Sequence, residues 1–312
     1  MRREIKIFDG TRISYEISGA RPPWLVFIHG IGGEATAWRG VARFFRRNGY
    51  STLAVDLRGH GLSGRPNSLG HYKVQNFARD ISIILQREKV RKFTLVGHSI
   101  GAAVMVEFHK MHPGKALAYV FITPAFRATK LLKILSRLDK ILSICLSPGV
   151  LRLAYGQRDF SRFRGTGDLS LRRILSDIAH TSVNSWIFSY ANLADFDGNN
   201  AVRKIKKPTC IIVGARDSLV GVDVARPAKV VYRIVPEANH VILINNQAEL
   251  KTEILDFLRK LAHKNPAYNI PNPGRSQNRP IMRSINHNPV PGFRAYKNPL
   301  RGRPHDNKVS HA

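Results

Sequence analysis

The sequence predicts an α/β fold built on a doubly wound, mostly parallel sheet. Short apolar runs rich in valine, isoleucine and leucine recur along the chain, at residues 24–28, 51–55, 92–96, 117–122, 208–213 and 230–235. Near-continuous apolar runs are typical of strands that are covered on both faces. Amphipathic helical patterns lie between these runs, at residues 38–46, 74–86, 102–111 and 248–261. This alternation of strand and helix indicates parallel strands with helices on both sides of the sheet.

The first element is predicted to be a hairpin instead of a strand–helix unit. Residues 4–8 and 13–17 alternate between apolar and polar side chains, as half-exposed strands do. Between them stands Asp9-Gly10-Thr11, in which Asp and Gly occupy positions that favour a tight turn. We therefore expect an antiparallel pair of strands at one margin of the otherwise parallel sheet.

The fifth run ends in the segment Gly97-His98-Ser99-Ile100-Gly101, and a helical pattern follows at once. Gly-x-Ser-x-Gly between a strand and a helix is the nucleophile elbow, a strained turn that exposes the serine hydroxyl at the sheet edge. The two glycines are needed because so sharp a turn leaves no room for side chains. Ser99 is therefore the candidate nucleophile.

Two further candidate residues follow later strands. Asp217 comes just after the run at 208–213, and His240 follows the run at 230–235. Ligands of doubly wound sheets bind at the carboxyl ends of the strands. Because Ser99 also follows a strand, the topology is expected to gather these three side chains at one edge.

Two loops complete the pattern, and with them the chain resembles the α/β-hydrolases of the esterase and lipase type over residues 4–261. His29-Gly30-Ile31-Gly32-Gly33 looks like the oxyanion-hole turn after the third strand, and residues 56–63 match the loop Asp-x-Arg-Gly-x-Gly-x-Ser of that superfamily. The order serine, aspartate, histidine along the chain is also that of the α/β-hydrolases.

The resemblance implies a role for each matched position. Ser99 would be the nucleophile, His240 the general base, and Asp217 the residue that orients His240. The backbone N–H groups of Ile31 and Ile100 would form the oxyanion hole. All five positions follow from the family motifs.

Two positions qualify this assignment. Asp223 lies six residues after Asp217 and is the alternative acid, although Gly-x-x-Asp directly after the strand is the family pattern. Asn239 stands where the family usually has glycine before the histidine. Asparagine tolerates unusual backbone angles better than most residues, so this departure is expected to be compatible with the loop.

The sequence divides into three regions. Residues 1–126 and 204–262 form the predicted core, and residues 127–203 interrupt its strand–helix rhythm with helical patterns at 131–146, 149–163, 169–180 and 183–193. The resemblance implies that this insertion is a helical cap over the site. The helical pattern at 131–146 carries a wide stripe of apolar residues, which would either pack on the core or meet lipid. Residues 263–312 are basic, rich in proline and asparagine and poor in apolar residues, so they are predicted to be disordered.

The resemblance implies an enzyme that hydrolyses carboxylic esters through an acyl-enzyme. A C–C bond hydrolase, a cofactor-free perhydrolase and an acyltransferase use the same residues and remain alternatives. Epoxide hydrolases and haloalkane dehalogenases of this fold have an aspartate at the elbow, and Ser99 argues against both. A catalytically silent binding protein is a further alternative, which the intact set of Ser99, Asp217 and His240 disfavours.

The composition is strongly basic, with 50 Lys and Arg against 21 acidic residues and a net charge of +29. Such a chain attracts anionic surfaces without specificity. Since no recognition module accompanies the scattered basic residues, we expect no specific nucleic-acid partner. The expected partner is a small ester or related acyl substrate, and the oligomeric state is left open.

No cofactor and no metal are expected, because the histidines show no metal-ligand spacing and two cysteines make no framework. The segment after Met1 is strand-like, so no secretory signal is expected. The sequence also has no apolar run of spanning length. A cytoplasmic location is the resulting expectation.

Overall fold

The computed structural model of the chain describes residues 1–127, 154, 156–264 and 268. Two compact units are distinguished, residues 1–273 and 274–312, and every described residue belongs to the first. The predicted cap helix at 131–146 and most of the predicted disordered tail lie outside the described residues.

One eight-stranded sheet forms the centre of the described chain, in the order β1-β2-β4-β3-β5-β6-β7-β8. The pairs β1–β2 and β2–β4 are antiparallel, and all later pairs are parallel. This architecture confirms the predicted fold class. The strands are β1 (Arg2–Lys6), β2 (Arg12–Ser18), β3 (Trp24–Ile28), β4 (Ser51–Val55), β5 (Phe93–His98), β6 (Ala118–Ile122), β7 (Thr209–Gly214) and β8 (Val230–Val235).

Helices follow β3, β4 and β5 and continue into the insertion after β6, whereas residues 215–229 between β7 and β8 contain no helix. The α-helices are α1 (Arg39–Arg47), α2 (Val74–Arg87), α3 (Ile100–Met111), α4 (Leu171–Thr181), α5 (Val183–Ala194), α6 (Asn199–Arg203), α7 (Ile242–Asn245) and α8 (Gln247–Lys264). Short 3₁₀ helices cover Ala35–Trp38, Leu69–Tyr72 and Phe160–Phe163.

The central strands are buried on both faces, because successive side chains of a strand point to opposite sides of the sheet and apolar clusters cover both sides. Val26 and Ile28 of β3 belong to the apolar cluster that includes residues of α2 and α3. Leu25 and Phe27 of the same strand belong to the second cluster, which includes residues of α1 and α8. The near-continuous apolar runs of the sequence therefore reflect burial on both faces.

The two margins of the sheet depart from the prediction. β1 spans Arg2–Lys6 instead of 4–8, and Phe8 lies beyond it with 63% of its surface exposed. The chain is already turning there, since the Gly10 N–H donates to the Ile7 carbonyl (2.9 Å). Among the described strands, β8 pairs with β7 alone, and it is only half-buried, with Ile234 51% exposed. It was expected to be covered on both faces.

The insertion and the last helix also differ from the predicted bounds. Within the predicted helix at 149–163, the described part holds only the 3₁₀ helix Phe160–Phe163. Gly156 has a left-handed φ of 87°, and the Arg158 N–H donates to the Glu34 carboxylate (2.8 Å) instead of to a helical carbonyl. The last helix continues to Lys264, two residues into the predicted tail, because basic residues stabilise a helix C-terminus.

Candidate active site

Ser99 lies in the sharp turn between β5 and α3. Its backbone angles are φ 52° and ψ −117°, in the left-handed half of the map that few non-glycine residues occupy. The Ser99 N–H donates to the Ile122 carbonyl (3.1 Å), which ties the turn to β6. A Cβ added at Gly97 would collide with Met105, and one at Gly101 would collide with the Ile28 carbonyl. The two glycines therefore make the turn possible, as the sequence predicted.

Three candidate side chains are joined by hydrogen bonds. The Ser99 Oγ lies 3.0 Å from His240 Nε2, and His240 Nδ1 lies 2.9 Å from Asp217 Oδ2. Because a carboxylate only accepts, the Nδ1 atom of a neutral His240 carries the proton and Nε2 is free to accept from the Ser99 hydroxyl. The arrangement can therefore draw the hydroxyl proton toward Nε2.

Asp217 is held as an ionised carboxylate. Its side chain has no exposed surface, and its Oδ1 accepts from the backbone N–H groups of Leu219 and Val220, both at 2.9 Å. Burial by itself would raise the pKa of Asp217, but these hydrogen bonds and the one with His240 outweigh it and lower the pKa. The alternative acid, Asp223, is exposed and is not part of this hydrogen-bonded chain.

The loop at 29–33 lies against the elbow. A Cβ added at Gly30 would lie 3.0 Å from the Ser99 Cβ, so the backbone around Ile31 approaches the nucleophile closely. The turn is closed by a hydrogen bond from the Gly33 N–H to the Gly30 carbonyl (2.9 Å). Ile100 is the first residue of α3, where an N–H has no acceptor within the helix. Gly30, which precedes Ile31, thus packs against Ser99, and Ile100 directly follows Ser99 in the chain.

His29 fixes that loop and stays neutral. Its Nδ1 donates to the Gly30 carbonyl (2.7 Å), and its Nε2 accepts from the Leu57 N–H (2.9 Å). Complete burial lowers the pKa of His29. The side chain therefore connects the loop at 29–33 with the loop after β4.

His98 holds the backbone of the candidate base. Its Nε2 donates to the His240 carbonyl (2.8 Å), and the centres of the two rings are 5.0 Å apart. Burial, followed by the nearby His240, lowers the pKa of His98 to about 3. His98 is therefore neutral at physiological pH and does not carry a proton to the site.

The loop at 56–63 is structural. Asp56 accepts from the Ala35 N–H and from Arg2, both at 2.6 Å. The buried Arg58 binds both oxygens of Asp80, at 2.8 and 2.7 Å. These contacts fasten the loop to neighbouring elements and bring none of its charged groups to Ser99.

Two contacts of the histidine loop were not anticipated. Asp168 of the insertion accepts from the backbone N–H of His240 (2.8 Å), although no motif in the sequence marks it. Asn239 has no left-handed φ, so its tolerance of unusual angles is not what the loop requires. Its Nδ2 instead donates to the Thr166 carbonyl (3.0 Å), and its Oδ1 accepts from the Val241 N–H (3.0 Å).

Within the described ranges, no group of three or more His, Cys, Asp or Glu side chains is placed to hold a metal ion. Cys210 is buried in β7, where burial raises the pKa of its thiol to about 12. Of the helices in the described part of the chain, none combines the length and the apolar character needed to span a bilayer.

The sheet order and the elbow after β5 define the α/β-hydrolase class of fold. The sequence model of a family described as the alpha/beta hydrolase fold matches residues 23–247. The chain belongs to this family.

Individual relatives are distant. The chain is 24% identical to Protein ABHD8 of Homo sapiens over 245 residues, which are 75% of this chain and 54% of that protein. It thus spans about half the length of the curated relatives that it matches first. It is also 24% identical to epoxide hydrolase 3 of Xenopus tropicalis over 296 residues, covering 82% of this chain and 78% of that one.

Among solved structures, a thermophilic esterase from Thermogutta terrifontis superposes with a TM-score of 0.67 at 17% identity. The match covers 84% of this chain and 99% of the esterase. At this identity the likeness concerns the fold.

Proposed function

We propose that the protein is a serine hydrolase that cleaves carboxylic esters through an acyl-enzyme intermediate. The observation that carries this proposal is the hydrogen-bonded chain from Ser99 through His240 to Asp217. A serine hydroxyl is a poor nucleophile at neutral pH and needs a base within hydrogen-bond reach. His240 Nε2, 3.0 Å from the Ser99 Oγ, meets that need.

In the first half of the reaction, the Ser99 Oγ attacks the acyl carbon while His240 takes its proton. The buried Asp217 carboxylate keeps the imidazole in the required tautomer and stabilises the imidazolium. The N–H groups of Ile31 and Ile100 would donate to the tetrahedral oxyanion, where loss of one donor typically costs about 3 kcal/mol. His240 then protonates the leaving alcohol, and the acyl group stays on Ser99.

In the second half, water replaces the alcohol. His240 removes a proton from the water as it attacks the acyl carbon, and the proton then returns to the Ser99 Oγ as the acid leaves. An acyltransferase would differ only in the acceptor that enters at this step. The chemistry of an epoxide hydrolase would require a carboxylate at the elbow, where this chain has Ser99.

The test is turnover of p-nitrophenyl esters, from acetate to palmitate, by the full chain. Ser99→Ala is expected to lower kcat by a factor of about 10⁶, because it removes the nucleophile. Ser161→Ala, which removes an exposed hydroxyl of the insertion, should leave turnover unchanged. Turnover that survives in Ser99→Ala would contradict the proposal, as would a wild-type chain that hydrolyses none of the esters.

The same assay separates the two candidate acids. Asp217→Asn should lower kcat by about 10⁴, because the amide favours the wrong His240 tautomer. The matched control is Asp223→Asn. Because the Asp223 side chain is exposed, this substitution should leave kcat unchanged. The reverse result would make Asp223 the acid and would refute the role given to Asp217.

A further inference from the structure

Asp168 reaches the two loops that carry His240 and Asp217, although it belongs to the insertion. Its Oδ1 accepts from the His240 backbone N–H at 2.8 Å. Its Oδ2 accepts from the backbone N–H and from the hydroxyl of Ser218, at 2.8 and 2.9 Å. Ser218 directly follows Asp217. One carboxylate therefore bridges the backbone of the base and the residue beside the acid.

The Asp168 carboxylate lies in a buried, hydrogen-bonded environment. Asp168 is only 6% exposed, so its hydrogen bonds are shielded from water. Hydrogen bonds to an ionised acceptor are roughly twice as strong as those between neutral groups. The Asp168 carbonyl also accepts from Arg173 (2.5 Å), which fixes the backbone from which the carboxylate extends.

The same part of the insertion also holds the loop at 29–33. Arg173 binds Asp177 at 2.8 Å, and Asp177 binds Arg158 at 2.5 Å. Arg158 in turn donates to the Gly32 carbonyl (2.5 Å), one residue beyond the predicted oxyanion donor Ile31. Charged side chains thus connect the insertion to both sides of the candidate active site.

Resting on the proposed function, we propose that Asp168 is a positioning residue for the reaction. Its carboxylate ties the histidine loop to the acid loop and so sets the His240 ring between Asp217 and Ser99. Its hydrogen bonds go to backbone N–H groups and to the Ser218 hydroxyl, and not to the Ser99 Oγ or the His240 ring. A displacement of about 1 Å in such a group can cost a factor of about 100 in rate, which makes this bridge consequential.

The test replaces Asp168 with asparagine, which keeps the shape but turns one acceptor oxygen into a donor. The new NH₂ group would face the donors of either His240 or Ser218, so one side of the bridge opens. We expect kcat on p-nitrophenyl esters to fall about 10- to 100-fold, while KM changes by less than about threefold.

The matched control is Asp159→Asn, in the same insertion. The Asp159 carboxylate also accepts from a serine N–H and hydroxyl, those of Ser161 at 3.0 and 2.6 Å, but it is exposed and its bonds stay within its own turn. Its replacement should leave kcat and KM unchanged. A similar loss in Asp159→Asn would make the effect of Asp168→Asn a general one and would overturn the proposal.

A second measurement does not depend on ester turnover. The His240 Nδ1 proton, held between His240 and Asp217, should give a strongly deshielded ¹H resonance in the folded protein. Asp168→Asn should shift or broaden it, whereas Asp159→Asn should not. If the wild type hydrolyses no ester but this resonance responds as expected, the proposed function fails and the positioning role stands.

Ser218→Ala provides a milder variant should Asp168→Asn fail to fold. It removes one hydroxyl bond and keeps the two bonds to backbone N–H groups. We expect a loss in kcat of about threefold at unchanged KM and a shift of the Nδ1 resonance, since only one of the three bonds to the Asp168 carboxylate is lost. Wild-type kcat and an unmoved resonance, in Ser218→Ala or in a folded Asp168→Asn, would overturn the positioning role.

Discussion

The elbow around Ser99 and the part of the insertion around Asp168 hold the site by different means. The elbow is fixed by sterics between residues close in sequence and by β5, a central strand paired on both sides. The insertion is attached by charged side chains whose partners are distant in the sequence, 50 residues from Asp168 to Ser218 and 72 from Asp168 to His240. Ser99 is therefore placed by the core, while the loops of His240 and Asp217 are also held by a segment outside it.

The elbow and the insertion depend on different kinds of residue. At the elbow, glycine is sufficient, because Gly97 and Gly101 leave room for closely approaching atoms. In the insertion, Arg158, Asp168 and Asp177 are all nearly buried, with 5%, 6% and 2% exposure. Burial raises the pKa of Asp177 in spite of Arg158 and Arg173, which shows how strongly desolvation acts there. A buried charge is costly unless it is paired, so each of these contacts depends on the others.

The largest effect is expected when a methyl group is added to the elbow. In Gly101→Ala the new Cβ would collide with the Ile28 carbonyl, a backbone atom that cannot yield without moving β3. We expect a loss of at least about 3 kcal/mol in the free energy of unfolding, although alanine is the better helix former by about 1 kcal/mol. Urea unfolding of the full chain measures it.

Gly114→Ala is the control for that substitution. A Cβ at Gly114 meets nothing within 4 Å, so the change in stability should stay within about 0.5 kcal/mol. If Gly101→Ala were as stable as the wild type, the elbow would not be set by the close approach of backbone atoms.

A smaller effect is expected in the insertion. Arg158→Ala removes the bonds to Asp177 and to the Gly32 carbonyl, but Asp177 keeps its bond to Arg173. We therefore expect a loss of about 2 kcal/mol in the free energy of unfolding, in the range of hydrogen bonds to charged groups. The same urea titration measures this loss in the free energy of unfolding.

Arg162→Ala, also in the insertion, serves as its counterpart. Arg162 is exposed and lies 3.8 Å from Asp159, and exposed ion pairs contribute at most about 1 kcal/mol. Equal losses for Arg158→Ala and Arg162→Ala would show that the buried cluster does not attach the insertion. The insertion would then not be held by buried charged contacts, in contrast to what we infer here.

The features that could be predicted from the sequence are those written in local patterns. The strand runs could be recognised because burial on both faces leaves a continuous apolar signal, and the elbow because its glycines are spaced around Ser99. Asp217 and His240 could be placed near Ser99 because parallel strands bring their carboxyl ends to one edge of the sheet. The geometry keeps these three side chains within hydrogen-bond distance.

What could not be predicted depends on contacts between distant segments. Asp168 stands in a stretch with no periodicity or motif, and its importance arises only when the insertion meets the loops after β7 and β8. The half-exposure of β8 follows from its place at the sheet margin, which an apolar run does not reveal. The role of Asn239 likewise lies in a contact with Thr166. The basic tail and its expected attraction to anionic surfaces stay predictions.

The most direct test of the central claim is covalent trapping of the nucleophile with a fluorophosphonate, followed by peptide mass spectrometry of the full chain. We expect one adduct per chain, on Ser99, and greatly slowed labelling in His240→Ala because the base that activates the hydroxyl is gone. An adduct on another residue, or a folded wild-type chain that is not labelled, would contradict the assignment of Ser99 as an activated nucleophile.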